Sequence, residues 1–136
     1  MRERLKSAPA EEIVAYMISP RLFDEAKTVF PIMSRINQAH TAMLVEQAIL
    51  PADVGGRILA GLAKLAADGV QALALDPGKE DLYFNVEAAL SADIGADTGG
   101  RMHTGRSRND LYATIQRMKV REVACDMARR ALVLQG

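Results

Sequence analysis

The segment from Gly99 to Asp110 concentrates chemical groups that can bind a small anion. It reads Gly-Gly-Arg-Met-His-Thr-Gly-Arg-Ser-Arg-Asn-Asp. Glycines expose backbone N–H groups, the start of the helix that follows supplies further donors, and each arginine offers a planar fork that matches two carboxylate oxygens. Ser107 and Asn109 add a hydroxyl and an amide. The segment therefore predicts an oxyanion site that holds a small carboxylate at several points.

Two other interpretations fit some of the same residues. Serine and asparagine are favoured at helix N-termini, so the segment can be a capped helix start with solvated arginines, and this interpretation stays open. Gly100 to Ser107 also has the form G-x-x-x-x-G-Arg-Ser, one residue away from a nucleotide-binding P-loop, with Arg106 in place of lysine. A P-loop follows a strand and needs an acidic strand end for magnesium, and the sequence indicates neither.

Helical periodicity on both sides of this segment predicts an all-α chain that forms a single domain over residues 1–136. A first short helix is expected to end at Ser19-Pro20. The apolar spacing beyond it predicts two helices, or one helix kinked at Pro31. Pro51 begins the next helix. No alternating strand pattern is found, although the apolar run 70–75 is ambiguous.

The second half of the chain contains a helix, an irregular segment and a long helix. A turn at Asp76-Pro77-Gly78 precedes a helix that follows Glu80 and Asp81. Residues 95–109 include four glycines and are expected to form a glycine-rich substrate loop. From about residue 109, apolar residues at steps of three, four and seven predict a long helix with one apolar stripe. This helix is too long to be covered by the short helices before it, so part of the stripe should contact helices outside this chain.

Composition excludes several function classes. Lysine plus arginine and aspartate plus glutamate number 17 each, so no global positive field favours nucleic acid or an anionic membrane surface. His40, His103 and Cys125 are too scattered for a spaced zinc site, and no metal or cofactor is expected. No stretch is long and apolar enough to span a membrane, and residues 1–9 lack the apolar run of a signal peptide. We therefore expect a cytoplasmic protein.

Several stretches together resemble argininosuccinate lyase. They are Glu80–Glu87 (Glu-Asp-Leu-Tyr-Phe-Asn-Val-Glu), Gly99–Asp110, Ala113-Thr114, Ala39-His40, Met43-Leu44 and the helix that begins at Pro51. The resemblance covers about residue 22 to the C-terminus. It implies the N-terminal helical domain of the aspartase/fumarase-like fold, ending in a long helix of the central bundle. It also implies a homotetramer whose active sites each draw on three subunits.

The resemblance further implies a carbon–nitrogen lyase of arginine biosynthesis, which eliminates fumarate from an N-substituted aspartate such as argininosuccinate and gives arginine. Ser107, Arg108 and Asn109 are then expected to contact the carboxylates of this small dicarboxylate-type substrate, with Thr104 supporting the loop. His103 is a further candidate, either catalytic or structural. No residue of this chain is assigned the catalytic step, because the family's serine loop and second histidine region lie further along its sequence. The chain alone is expected to be inactive.

Three departures from the family pattern leave the leaving amine open. Met33 and Asn37 stand where the family usually has Asp and Ser, and Tyr83 replaces a common histidine. Asn37 is a further candidate for substrate contact. One alternative is a lyase of the same family that acts on another aminocarboxylate. Another is a non-catalytic interaction subunit that associates with longer lyase chains. His40 is expected to be a hydrogen-bonded core residue.

Overall fold

The computed structural model describes residues 9–135, and all regular structure in this range is helical, which confirms the predicted all-α class. Seven α-helices follow one another in this range: α1 (Glu11–Ile13), α2 (Ser19–Thr28), α3 (Phe30–Glu46), α4 (Ala52–Asp68), α5 (Leu82–Ile94), α6 (Ala96–Gly100) and α7 (Arg108–Gln135). Short 3₁₀ turns occupy Val70–Ala72, Pro77–Lys79 and Arg101–His103. Most of the segment 1–9, in which no signal peptide is predicted, lies outside the described residues.

The predicted helix end at Ser19-Pro20 is wrong, because the chain passes through it in helical geometry. A π-helical stretch, Val14–Ile18, joins α1 to α2, and the backbone N–H of Ser19 bonds to the carbonyl of Val14. Pro20, which has no backbone N–H, therefore lies near the start of α2 within a continuous helical path. Pro31 occupies the same kind of position in α3, so the predicted break there separates two helices.

The described chain divides into two compact units, of which the first ends at Thr104 and the second begins at Gly105. In the first unit α4 packs against α3 and α5, and α2 contacts both α3 and α5. Its core is mainly aliphatic; the large side chains that are almost fully enclosed include Leu22, Met33, Leu44, Ile58, Leu62, Leu82, Tyr83, Leu90 and Met102. The expected single domain over the whole chain stays a prediction.

Helices α4 and α5 are held by close packing and by one ion pair. A side chain at Gly61 would meet Leu90 Cδ1 at 2.6 Å, so the absence of a side chain lets the two helices approach. Lys64 Nζ lies 2.5 Å from Asp93 Oδ1. The hydrogen bond and charge of Asp93 raise the pKa of Lys64 above its ordinary value.

The turn before α5 is built by side chains of the Glu80–Glu87 stretch. Asn85 is buried, and its amide accepts from the backbone N–H of Asp76 at 2.7 Å and donates to the Asp81 carbonyl at 2.8 Å. Asp81 caps α5 by accepting from the N–H of Phe84 at 3.0 Å. Glu80 has φ +70° and ψ −55°, a strained γ-turn conformation. Much of this stretch therefore has a structural role.

The glycine-rich segment 95–109 is more regular than expected, since α6 and a 3₁₀ turn occupy residues 96–103. Gly95, with φ +92°, lets the chain turn after α5 into α6. A side chain at Gly99 would lie 2.6 Å from Ser91 Oγ and 2.9 Å from Ser91 Cα. Helix α6 therefore packs onto the backbone of α5 at a distance that only glycine permits.

The second unit consists mainly of α7, whose apolar residues include two rows, whereas the sequence predicted one stripe. Met118, Cys125 and Leu132 recur at steps of seven, and so do Val120, Met127 and Leu134. Because each residue turns the helix by about 100°, the second row lies on the side opposite the first. Val120, Met127 and Leu134 are 65% to 88% exposed. Within this unit Leu111 and Ile115 are buried, whereas most of the apolar surface beyond them is exposed.

The Gly99 contact predicts different stabilities for two adjacent substitutions. Gly99→Ala should lower the free energy of unfolding by about 1–3 kcal/mol, because the new methyl group collides with the α5 backbone. Gly100→Ala is the matched control, since a Cβ at Gly100 meets nothing within 4 Å and Gly100 is helical. It should leave stability unchanged or raise it by up to about 1 kcal/mol. Urea unfolding measures both, and equal effects would contradict the close approach.

Candidate functional site

The N-terminus of α7 is closed by a reciprocal capping arrangement. The backbone N–H of Asn109 donates to Ser107 Oγ at 3.2 Å, and the N–H of Ser107 donates to Asp110 Oδ2 at 3.4 Å. This is the capping-box pattern with aspartate at the third helical position. The capped-helix interpretation of Ser107 is therefore correct as a description of local structure. A hydroxyl both accepts and donates, so capping leaves the Ser107 proton able to bind an acceptor.

The described chain presents the predicted donors of the second unit at one helix end. Ser107 and Asn109 are exposed, and Arg108 is partly exposed at the first helical position. The backbone N–H groups of a helix start point toward its N-terminal end and, together with the helix dipole, favour an anion there. An arginine, a hydroxyl and an amide on three successive residues give this helix start the means to hold a carboxylate.

The P-loop interpretation lacks its structural context. In the described residues the segment before Gly100 is helical, formed by α5 and α6, and no strand precedes it. No group of three or more His, Cys, Asp or Glu residues that could hold a metal ion occurs in the part of the chain that the structure describes. Within the same part, no helix is long and apolar enough to cross a membrane.

The residues just before the second unit are tied to α3 and α5. His40 Nε2 donates to the backbone carbonyl of Thr104 at 2.9 Å. Tyr83 is 1% exposed, and its hydroxyl is hydrogen-bonded to His103 Nδ1 at 2.8 Å. The rings of Tyr83 and His103 also pack together, with centroids 5.2 Å apart. His40 is thus hydrogen-bonded as expected, although it is half-buried and not part of the core.

The candidate Asn37 lies in the interior of the first unit. Asn37 and Met33 are both fully buried on α3, and the backbone carbonyl of Asn37 accepts from Thr41 Oγ1 at 2.8 Å. A substrate contact by Asn37 stays a prediction, and it requires its neighbours to move. In the sequence Tyr83 is only a departure from the family pattern, and its bond to His103 was not predicted. No spacing rule reveals that bond, because it depends on how α6 folds back along α5.

Three curated proteins that are similar to this chain are all argininosuccinate lyases. The chain is 40% identical over 119 residues to argininosuccinate lyase 1 of Shouchella clausii, covering 88% of this chain and 24% of that protein. It is 42% identical over 121 residues to the argininosuccinate lyase of Methanosarcina acetivorans, covering 89% and 24%. The enzyme of Methanococcus maripaludis strain C5 is 37% identical over 134 residues, covering 98% and 27%. No protein-family model matches the chain.

The described residues form an all-helical chain, and the curated proteins that it resembles are lyases. The chain spans about a quarter of the length of the curated relatives it matches. It corresponds in sequence to the N-terminal portion of the argininosuccinate lyase family, which confirms the resemblance read from Glu80–Glu87 and Gly99–Asp110.

The capping geometry predicts how Ser107 contributes to stability. Ser107→Ala should lower the free energy of unfolding by about 1 kcal/mol, because the N–H of Asn109 loses its acceptor. Ser107→Asp should keep the parent stability, since a carboxylate also caps and interacts favourably with the helix dipole. Thermal unfolding followed by circular dichroism measures the pair. A loss in Ser107→Asp equal to that in Ser107→Ala would argue against the capping role.

Proposed function

We propose that this chain is the substrate-clamping N-terminal module of an argininosuccinate lyase-type carbon–nitrogen lyase. In this proposal Ser107, Arg108 and Asn109 bind the carboxylates of an N-substituted aspartate such as argininosuccinate. The cluster of donors at the start of α7 is the observation that carries the proposal. The identity to argininosuccinate lyases over most of the chain supports it.

The proposed chemistry assigns a limited task to this module. Elimination of fumarate removes a proton from the carbon next to a carboxylate, so negative charge accumulates on that carboxylate before the amine leaves. Preorganised donors that face this charge lower the barrier. Arg108 supplies a full positive charge, while Ser107 and Asn109 supply neutral donors. The base that takes the proton is expected from sequence outside this chain, so the isolated chain should turn over little substrate.

Complementation tests the carboxylate clamp. We expect the purified chain alone to release no fumarate from argininosuccinate, and to do so when the remaining lyase sequence is supplied in trans. Arg108→Ala should lower kcat/KM of the complemented assembly by about a hundredfold, as removal of a charge-assisted donor costs on the order of 2–3 kcal/mol. Ultraviolet absorbance of fumarate is the readout. Arg117→Ala, in exposed α7 surface two turns further on, is the control and should retain parent activity.

Two results would contradict this proposal. Activity of the chain alone would show that it is not an incomplete module. Unchanged kcat/KM in Arg108→Ala would remove Arg108 from the clamp. A complemented assembly that releases fumarate from another N-substituted aspartate, but not from argininosuccinate, would favour the alternative leaving amine. Met33 and Asn37 motivate that alternative, since they replace the polar residues usual in the family with a thioether and an amide.

We also propose that α7 associates with helices of other chains, in a homotetramer or with longer lyase subunits. Two opposite apolar rows on one helix are typical of a helix packed on both sides in a bundle. Large side chains of the second row, Val120, Met127 and Leu134, are at least 65% exposed. Burying them against other helices removes apolar surface from water, which favours association. An interaction subunit without catalysis would use the same surface.

Sedimentation velocity tests the association. The parent chain should sediment as an oligomer, and the triple variant Val120→Gln, Met127→Gln, Leu134→Gln should sediment as a monomer, because its row no longer gains from burial. Arg117→Gln, Lys119→Gln, Arg121→Gln changes as many residues of the same helix and should leave the oligomer intact. A monomeric parent chain at all concentrations would contradict association through α7 by this chain alone.

A further inference from the structure

Two side chains of the first unit hold the segment that leads into the proposed clamp. His40, on α3, bonds to the carbonyl of Thr104, and Tyr83, on α5, bonds to the ring of His103. Both contacts reach far along the chain, over 64 and 20 residues. They act on adjacent residues, one through the backbone and one through a side chain. The chain is therefore fixed immediately before Gly105, whose φ of +71° begins the connection to α7.

We propose that His40 and Tyr83 are positioning residues for the carboxylate clamp, and this inference rests on the clamp function proposed above. Only Gly105 and Arg106 separate the fixed Thr104 from Ser107. Because residues 103 and 104 are anchored, the chain that continues from them to Ser107 has fewer conformations in the free protein. Less conformational entropy is then lost when substrate binds. Neither side chain needs to touch the substrate to have this effect.

The chemistry of the two bonds defines their proton positions. A carbonyl oxygen only accepts, so His40 carries its proton on Nε2. An imidazole nitrogen is a better acceptor than a phenol oxygen, so we assign the Tyr83 hydroxyl as the donor to His103 Nδ1, which places the proton of a neutral ring on Nε2. The chain contains two histidines, and a long-range ¹H–¹⁵N spectrum can therefore resolve both tautomers.

Paired substitutions separate positioning from general packing. Tyr83→Phe removes only the hydroxyl, and His103→Asn keeps an acceptor at the Nδ1 position whereas His103→Ala does not. His40→Gln keeps a donor at the Nε2 position whereas His40→Leu does not. Tyr16→Phe is the matched control, because Tyr16 is 80% exposed.

Amide hydrogen exchange of the intact chain is the primary measurement. We expect Tyr83→Phe, His103→Ala and His40→Leu to accelerate exchange across residues 103–110 by about five- to tenfold, the effect of losing one hydrogen bond. His103→Asn, His40→Gln and Tyr16→Phe should keep parent rates. The His103 ¹⁵N shifts should move toward those of a free imidazole in Tyr83→Phe, with the His40 shifts unchanged. Unchanged exchange in Tyr83→Phe and His40→Leu, or equal acceleration throughout α3–α5, would overturn the inference.

Kinetics of the complemented assembly tests the consequence for the clamp. Tyr83→Phe should raise KM for argininosuccinate by about five- to tenfold and change kcat less, because a loosened clamp binds substrate more weakly. A loss confined to kcat would overturn the positioning role. If no assembly with the parent chain binds or cleaves substrate, the proposed function fails, while the exchange rates of the free chain still decide whether His40 and Tyr83 anchor the segment.

Discussion

The close approach of Gly99 to the backbone of Ser91 is the constraint on which the glycine-rich segment depends. Gly95 turns the chain after α5, and α6 then runs back along the helix it has just left. Gly99 lies beside Ser91, and four residues later His103 lies beside Tyr83, which is eight residues before Ser91 on α5. A larger residue at position 99 would separate the helices and carry His103 away from Tyr83. The Gly99–Ser91 contact and the Tyr83–His103 hydrogen bond therefore both depend on this segment running antiparallel to α5.

Sequence patterns were sufficient for most of the helices. Apolar periodicity and proline positions predicted α3, α4 and the long α7, and the Asp76-Pro77-Gly78 turn placed the start of α5. These features depend on local physics, in which proline and capping residues act within one turn. The π-helical stretch before Ser19 was missed, because such stretches leave no hydrophobic period of their own. Helix α6 was missed because its glycines were read as a loop, whereas tertiary packing uses one of them for contact.

The candidate site could be predicted as a set of residue types but not as an arrangement. Glycines, arginines, serine and asparagine before a helix indicated an anion site, and Ser107 and Asp110 do close the start of that helix. The bond between Tyr83 and His103 joins residues 20 positions apart and could not be read from spacing. Asn37, a substrate candidate by position, is instead fully buried in α3. The burial of one residue depends on neighbours from several helices. Sequence periodicity predicts only which face of a helix is buried on average.

Capping and substrate binding are compatible uses of the α7 N-terminus. The capping box satisfies the N–H of Asn109 and leaves the Ser107 proton able to donate. The residue that caps the start of the helix can therefore also bind a carboxylate. Asp110 reduces the positive charge at this end, so in the proposed clamp the charge of Arg108 would serve to attract a substrate carboxylate. The clamp also belongs to a 28-residue helix whose distant apolar rows are exposed. Partners that bury those rows would stabilise the helix and, through it, the capped end. Assembly and substrate binding in the proposed enzyme are therefore coupled along α7, since both stabilise the same folded helix.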